Sequence, residues 1–152
     1  NTSREYDSQI ADDFASELEQ EHPQKQEMQT FASLQEFEKA TGHIPYRLNA
    51  SDVTYETSKY QKNRRNEEWL YTYYAYEDGL IVTTQIWNTA SGINALTNDS
   101  YQLYTTGTGS EVYYSTDKID GSTCALTQLN DSILMVSTDS VVTLERVLQI
   151  FK

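Results

Sequence analysis

Cysteine is nearly missing from this chain: Cys124 is the single one in 152 residues, so no intrachain disulfide can form and no Cys-rich zinc site can be assembled. Its place in an apolar, strand-like run, TCALTQL, points to a buried thiol behaving as a small hydrophobe rather than a nucleophile. Scarcity of disulfides is compatible with the cytosol and does not exclude the surface of bacteria that use few cysteines. Histidine is almost as rare. His22 and His43 are the two present, and neither belongs to a metal-binding spacing such as H-x-x-x-H. His22 beside Pro23 reads as solvated, and His43 as a helix-end residue facing terminal carbonyls. There is no G-x-S-x-G elbow for a serine nucleophile, and Gly107 to Ser110 lacks a P-loop or dinucleotide fingerprint, so no cofactor is expected. Asp117-Lys118-Ile119-Asp120-Gly121 has the wrong spacing for a calcium loop, with a lysine inside it, and no metal is expected either.

Basic residues are also in short supply, 11 against 23 acidic ones, for a formal net charge of -12. A chain so charged lacks the basic footprint that nucleic acid requires, and anionic membrane surfaces are disfavoured for the same reason. Ten of the acids precede Thr41, in company with Arg4, Lys25 and Lys39 alone. No apolar run approaches the length of a transmembrane helix, and no basic-then-apolar signal segment is present. The chain begins at Asn1 rather than Met, which raises the expectation of an upstream segment carrying an anchor; contact with a membrane is expected only through such an anchor. Four N-x-Ser matches, at Asn1, Asn49, Asn98 and Asn130, carry little weight in a chain this rich in Ser.

What is abundant is tyrosine, and it concentrates in the stretch on which the sequence is organised, EEWLYTYYAYEDGLIVTTQIWNT from Glu67 to Thr89. Two β-rich runs flank Asp78-Gly79, a pair suited to a two-residue type I′ turn, which predicts a hairpin. With those two residues as the loop, Ala75 faces Val82, Tyr73 faces Thr84 and Tyr71 faces Ile86 on an apolar side, expected to meet helices. Tyr76 faces Ile81, Tyr74 faces Thr83 and Leu70 faces Trp87 on a mixed polar and aromatic side. Tyr74, Tyr76 and Trp87 are therefore the candidate binding residues, because amphipathic rings suit a sugar, a peptide or another protein.

Around this hairpin the periodicity is clear. Tyr6, Ile10, Phe14 and Leu18 make one stripe at helical period, and Glu21 to Gln26 then breaks it at His22-Pro23. Ser33-Leu34-Gln35-Glu36 has capping-box spacing, Leu34, Phe37 and Ala40 make a buried helix face, and Gly42 supplies the stop before Ile44-Pro45. Strands are predicted over 53–60, 68–77, 80–88, 101–106, 111–116, 122–129 and 133–137, joined mostly by short turns and hence antiparallel. The longest connection, Thr89 to Ser100, has room for a lid or a short helical turn. Asp139 or Ser140 would cap a last helix with Val141, Leu144, Val147, Leu148 and Phe151 on one face. Lys59, Lys62, Arg64 and Arg65 form a basic cluster before the hairpin; a solvated loop is the plain reading, and docking of an acidic partner or of the chain's own acidic N-terminal helix is the functional one.

The expected architecture is a single α+β domain over 31–152, one antiparallel sheet of about six or seven strands with N-terminal and C-terminal helices packed on one face, preceded by an acidic helix and linker over 1–30. The stretches SLQEFEKATGHIPYRL, the hairpin, and the ending from Tyr113 through DSILMVSTDSVVTLERVLQIF resemble the DUF4367-type extracytoplasmic domains of Gram-positive bacteria. That resemblance implies a place in the outer portion of a membrane-anchored protein or a lipoprotein; joined with the aromatic face, it leads to the expectation of a non-catalytic binding or sensory domain for a protein or cell-wall ligand of unknown identity. A cell-wall carbohydrate-binding module is the alternative, and a hydrolase with an unrecognised site ranks below it.

Overall fold

The computed structural model describes residues 28–89 and 92–151. The stripe from Tyr6 to Leu18 and the break at His22-Pro23 lie outside the described residues. Eight strands form one antiparallel sheet: β1 (Gln29–Phe31), β2 (Thr54–Lys62), β3 (Glu68–Tyr76), β4 (Gly79–Trp87), β5 (Gln102–Thr105), β6 (Glu111–Thr116), β7 (Thr123–Gln128) and β8 (Ser132–Thr138). Their order is β1-β2-β3-β4-β8-β7-β6-β5, two four-stranded meanders joined where β4 pairs with β8. Helix α1 (Leu34–Thr41) separates β1 from β2, and helix α2 (Leu144–Phe151) closes the chain.

The α+β class with a single sheet is as expected, but the strand count is eight rather than six or seven. The addition is β1, whose three residues carry no alternation of their own and become a strand by pairing Gln29 with Tyr60 and Phe31 with Ser58. The sheet thus takes in Gln29 and Thr30, ahead of the boundary drawn at 31. Helix α1 starts at the capping box: Ser33 Oγ accepts from Glu36 N at 3.2 Å, and Gly42 ends it in the left-handed conformation at φ 81°. Helix α2 starts later than expected. Thr143, not Asp139 or Ser140, receives the first-turn amide of Arg146 at 3.2 Å.

The hairpin is present with a different loop. Tyr76 pairs with Gly79, so Glu77 and Asp78 make the turn, and Glu77 carries the positive φ of 53°. Gly79 is required for another reason. A Cβ there would lie 2.7 Å from both Asp139 Oδ1 and Val141 Cβ, because the chain between β8 and α2 passes directly over it. Asp139 Oδ2 accepts from Leu80 N at 3.0 Å and fixes that passage. Relative to the expected register every partner moves by two residues: Tyr74 meets Ile81 and Leu70 meets Gln85. A two-residue shift leaves each side chain on its original face.

The helices cover the face that was expected to stay open. Both helices cover the side that carries Leu70, Tyr74, Ile81 and Trp87. Leu34 and Phe37 of α1 pack with Leu70 and Trp87, while Val142 and Val147 pack with Tyr74, Ile81, Ala125, Leu134 and Val136. This inner face carries both clusters, while Ile86, Leu126 and Ile133 are buried on the other face of the sheet.

Candidate functional site

Polar residues at the centre of the inner face explain why its composition misleads. Between α1 and β2 the chain runs as an extended strap over the sheet, its conformation pre-set by Pro45. Strap amides need acceptors where water is excluded. Gln85 Oε1 takes Tyr46 N at 2.7 Å, Gln85 Nε2 donates to Ser132 Oγ at 2.8 Å, and the Tyr74 hydroxyl takes Leu48 N at 3.3 Å. The Gln85, Thr72 and Thr83 side chains that suggested a wetted face lie beneath the strap and helices, all buried.

The three sequence-predicted binding residues are therefore separated and largely covered. Tyr74, 3 % exposed, sits under the strap with its ring edge-on to Tyr55 at 6.1 Å; burial pushes its hydroxyl pKa up. Trp87, 2 % exposed, is sandwiched between Phe37 at 5.6 Å and His43 at 4.5 Å. Tyr76 is half-buried under the Arg146 guanidinium, 5.8 Å from its ring centre, and Arg146 is held in turn by Asp52 at 2.6 and 2.9 Å. A shared docking surface built from these rings is corrected by the structure, since burial leaves no free ring face on Tyr74 or Trp87.

His43 has a partner that the spacing did not announce. Its Nε2 lies 3.0 Å from Glu68 Oε2, and the same carboxylate receives Asn88 Nδ2 at 2.8 Å and the Tyr60 hydroxyl at 2.6 Å. Burial pushes the Glu68 carboxyl up, yet the bonds from Tyr60 and His43 outweigh it and hold the group below its usual range. Burial, reinforced by the carboxylate, pushes the Tyr60 hydroxyl the other way, well above the ordinary tyrosine range. This knot ties β2, β3 and the exits of α1 and β4 together. Cys124 is nowhere near it. It lies on the opposite face of β7 beside Tyr101, whose hydroxyl pKa is pushed up to about 12 by burial and by its bond to that thiol.

Two grooves flank the strap. One, of about 640 Å³, lies toward α2 and is lined by Tyr46, Asn49, Asp52, Arg146 and Gln149. The other, of about 320 Å³, lies toward α1 and is lined by Leu34, Leu48, Tyr55 and Tyr74. Arg47 and Arg146 at their rims are paired, with Glu38 at 2.9 Å and Asp52 at 2.6 Å. Among the described residues no group of three or more His, Cys, Asp and Glu side chains is arranged to hold a metal.

The outer face of β3 carries a row of half-buried rings. Trp69, Tyr71 and Tyr73 alternate along β3 away from both helices, all half-buried, with Val82 opposite Tyr73 on β4. The Trp69 and Tyr71 rings are near-parallel, 25° apart in plane and 6.2 Å between centres, and Lys59 Nζ lies 5.5 Å from the centre of the Tyr73 ring. Toward β6 and β7 the same face is crossed by the β4–β5 connection: its 3-10 turn, Ile93–Leu96, touches β7, and Ser100 Oγ is 3.3 Å from Ser115 Oγ. The β2–β4 half carries the rings. The sequence places Tyr71 and Tyr73 on the face expected to meet helices; the need of the strap amides for acceptors is what puts Gln85 and Tyr74 on the covered side instead. Comparison of the chain with protein-family models, with curated proteins and with solved structures finds no match.

Proposed function

We propose that this chain is a non-catalytic, extracytoplasmic binding or sensory domain of a membrane-anchored bacterial protein, and that its docking surface is the outer face of β2–β4. The observation that carries the reading is the row Trp69, Tyr71 and Tyr73 on the side of the sheet away from α1 and α2. Amphipathic rings with a lysine over one of them supply contact area at low entropic cost and suit a polypeptide partner with apolar and acidic side chains. The Glu68 knot and the paired arginines at the grooves support a framework rather than a reacting centre. Location rests on the resemblance to extracytoplasmic domains.

The test uses the full-length native protein in its own cells. Chemical cross-linking is expected to give a discrete protein adduct that disappears when Trp69, Tyr71 and Tyr73 are all changed to alanine, with circular dichroism unchanged. An adduct that survives the triple change overturns the docking surface, and a cytosolic protein on fractionation overturns the location. A second reading, cell-wall carbohydrate binding, is favoured by the near-parallel Trp69 and Tyr71 rings. It predicts heat on titration with wall fragments that Trp69→Ala abolishes; titration without heat rejects it.

A further inference from the structure

The outer face of β2–β4 adjoins the point where the preceding chain arrives. Gln29 pairs with Tyr60, two residues before Lys62 and the turn carrying Arg64 and Arg65, and Gln61 pairs with Trp69. The described chain therefore begins, at Met28, at the end of the sheet where the basic turn and the first ring of the row lie together. Its sequence complements both features. Residues 6–18 carry Tyr6, Ile10, Phe14 and Leu18 at four-residue intervals, and Asp7, Asp12, Asp13 and Glu17 with no basic residue. Such a segment, wound as a helix, presents an apolar stripe with an acidic flank.

We propose that residues 6–18 dock in cis as an amphipathic helix on the outer face, stripe against Trp69, Tyr71, Tyr73 and Val82, acids toward Lys59 and Arg65. This rests on the reading of that face as a docking surface and names its resident occupant. Reach permits it: a 13-residue helix is about 20 Å long, three neighbouring strands span about 10 Å, and residues 19–27 extend to about 30 Å. The same rings would then serve the chain's own segment and an external polypeptide in turn, so partner binding requires displacement of residues 6–18. The segment acts as a built-in competitor, with an effective concentration set by its short tether.

The chain carries its own reporter. Trp87 is sealed in the core, so acrylamide quenching of tryptophan fluorescence reads Trp69. In the full chain, Phe14→Glu is expected to at least double the quenching constant of Trp69, and Asp12→Lys with Asp13→Lys to raise it in low salt, with the folded circular dichroism spectrum retained. A Trp69→Phe protein, in which quenching stays low with or without Phe14→Glu, confirms the assignment of the signal. Equal quenching in the wild-type and Phe14→Glu chains overturns self-docking. So does shielding that appears only with rising protein concentration, which would mean docking between copies. Failure here is separable from failure of the docking surface itself, which is judged by whether the cellular adduct survives the triple alanine change.

Discussion

Replacing Glu68 by glutamine converts the carboxylate at the meeting point of β2, β3, α1 and β4 into the shape of its own protonated form. Three donors converge on it, the Tyr60 hydroxyl at 2.6 Å, Asn88 Nδ2 at 2.8 Å and His43 Nε2 at 3.0 Å. Hydrogen bonds to a charged acceptor are worth about 1.5–3 kcal/mol against about 1 for neutral ones. Converting three of them, less the relief of burying a neutral group, should cost about 2 kcal/mol at pH 7. The sign with pH follows from the depressed folded-state pKa of Glu68. The carboxylate's contribution is fully present above the unfolded value of about 4.3 and is lost as pH falls through the lower folded value. Urea unfolding of both proteins from pH 7 to pH 3 reads it directly, with a midpoint gap of about 1 M at pH 7 for an m-value near 2 kcal/mol/M. The gap should close in acid. A glutamine protein as stable as the parent at pH 7, or a gap that stays constant down to pH 3, refutes the account of the knot.

Other expectations bear on the facing of the sheet. Trp87→Ala, which empties the space between Phe37 and His43, should cost about 3–5 kcal/mol, whereas Trp69→Ala on the outer face should cost about 1, both read by urea unfolding. Similar losses at the two sites would contradict the assignment of inner and outer. Gly79→Ala should destabilise by about 1–3 kcal/mol through overpacking against Asp139 and Val141, with little change in the Glu77-Asp78 turn; thermal melting at or above the parent value would contradict it. Gln85→Ala should cost about 2–4 kcal/mol and speed amide exchange at Tyr46 before that at β4, since the strap amide loses its acceptor. Exchange that stays slow at Tyr46 would show that the strap is held by something else.

Much of the architecture is legible in the residues. Ser33 and Glu36 mark the start of α1, Gly42 its end, and the strand limits fall within a residue or two because Tyr, Val, Ile and Thr alternate cleanly between turn formers. Three features are not. Strand β1 is made by its neighbour and carries too few residues to show a period. Asp78-Gly79 looks like a turn, but the glycine is fixed by a tertiary contact with residues 60 positions later, which no local rule reveals. The third is which face the helices cover, because apolar count points to the wrong one. Ala75, Val82 and Ile86 outweigh Thr72, Thr83 and Gln85 on that scale, and yet a strap laid over the sheet needs the polar set beneath it. The ring-bearing strand is legible; which of its faces is covered depends on what crosses it.

The outer-face docking surface is tested most directly by site-specific photo-cross-linking in cells that make the full-length protein. A photoreactive phenylalanine at position 71 on the outer face is compared with the same group at position 114, half-buried on the helix side. Adducts, to residues 6–18 or to a partner protein, are expected from position 71 and absent from position 114. Adducts from 114 with none from 71 would contradict it.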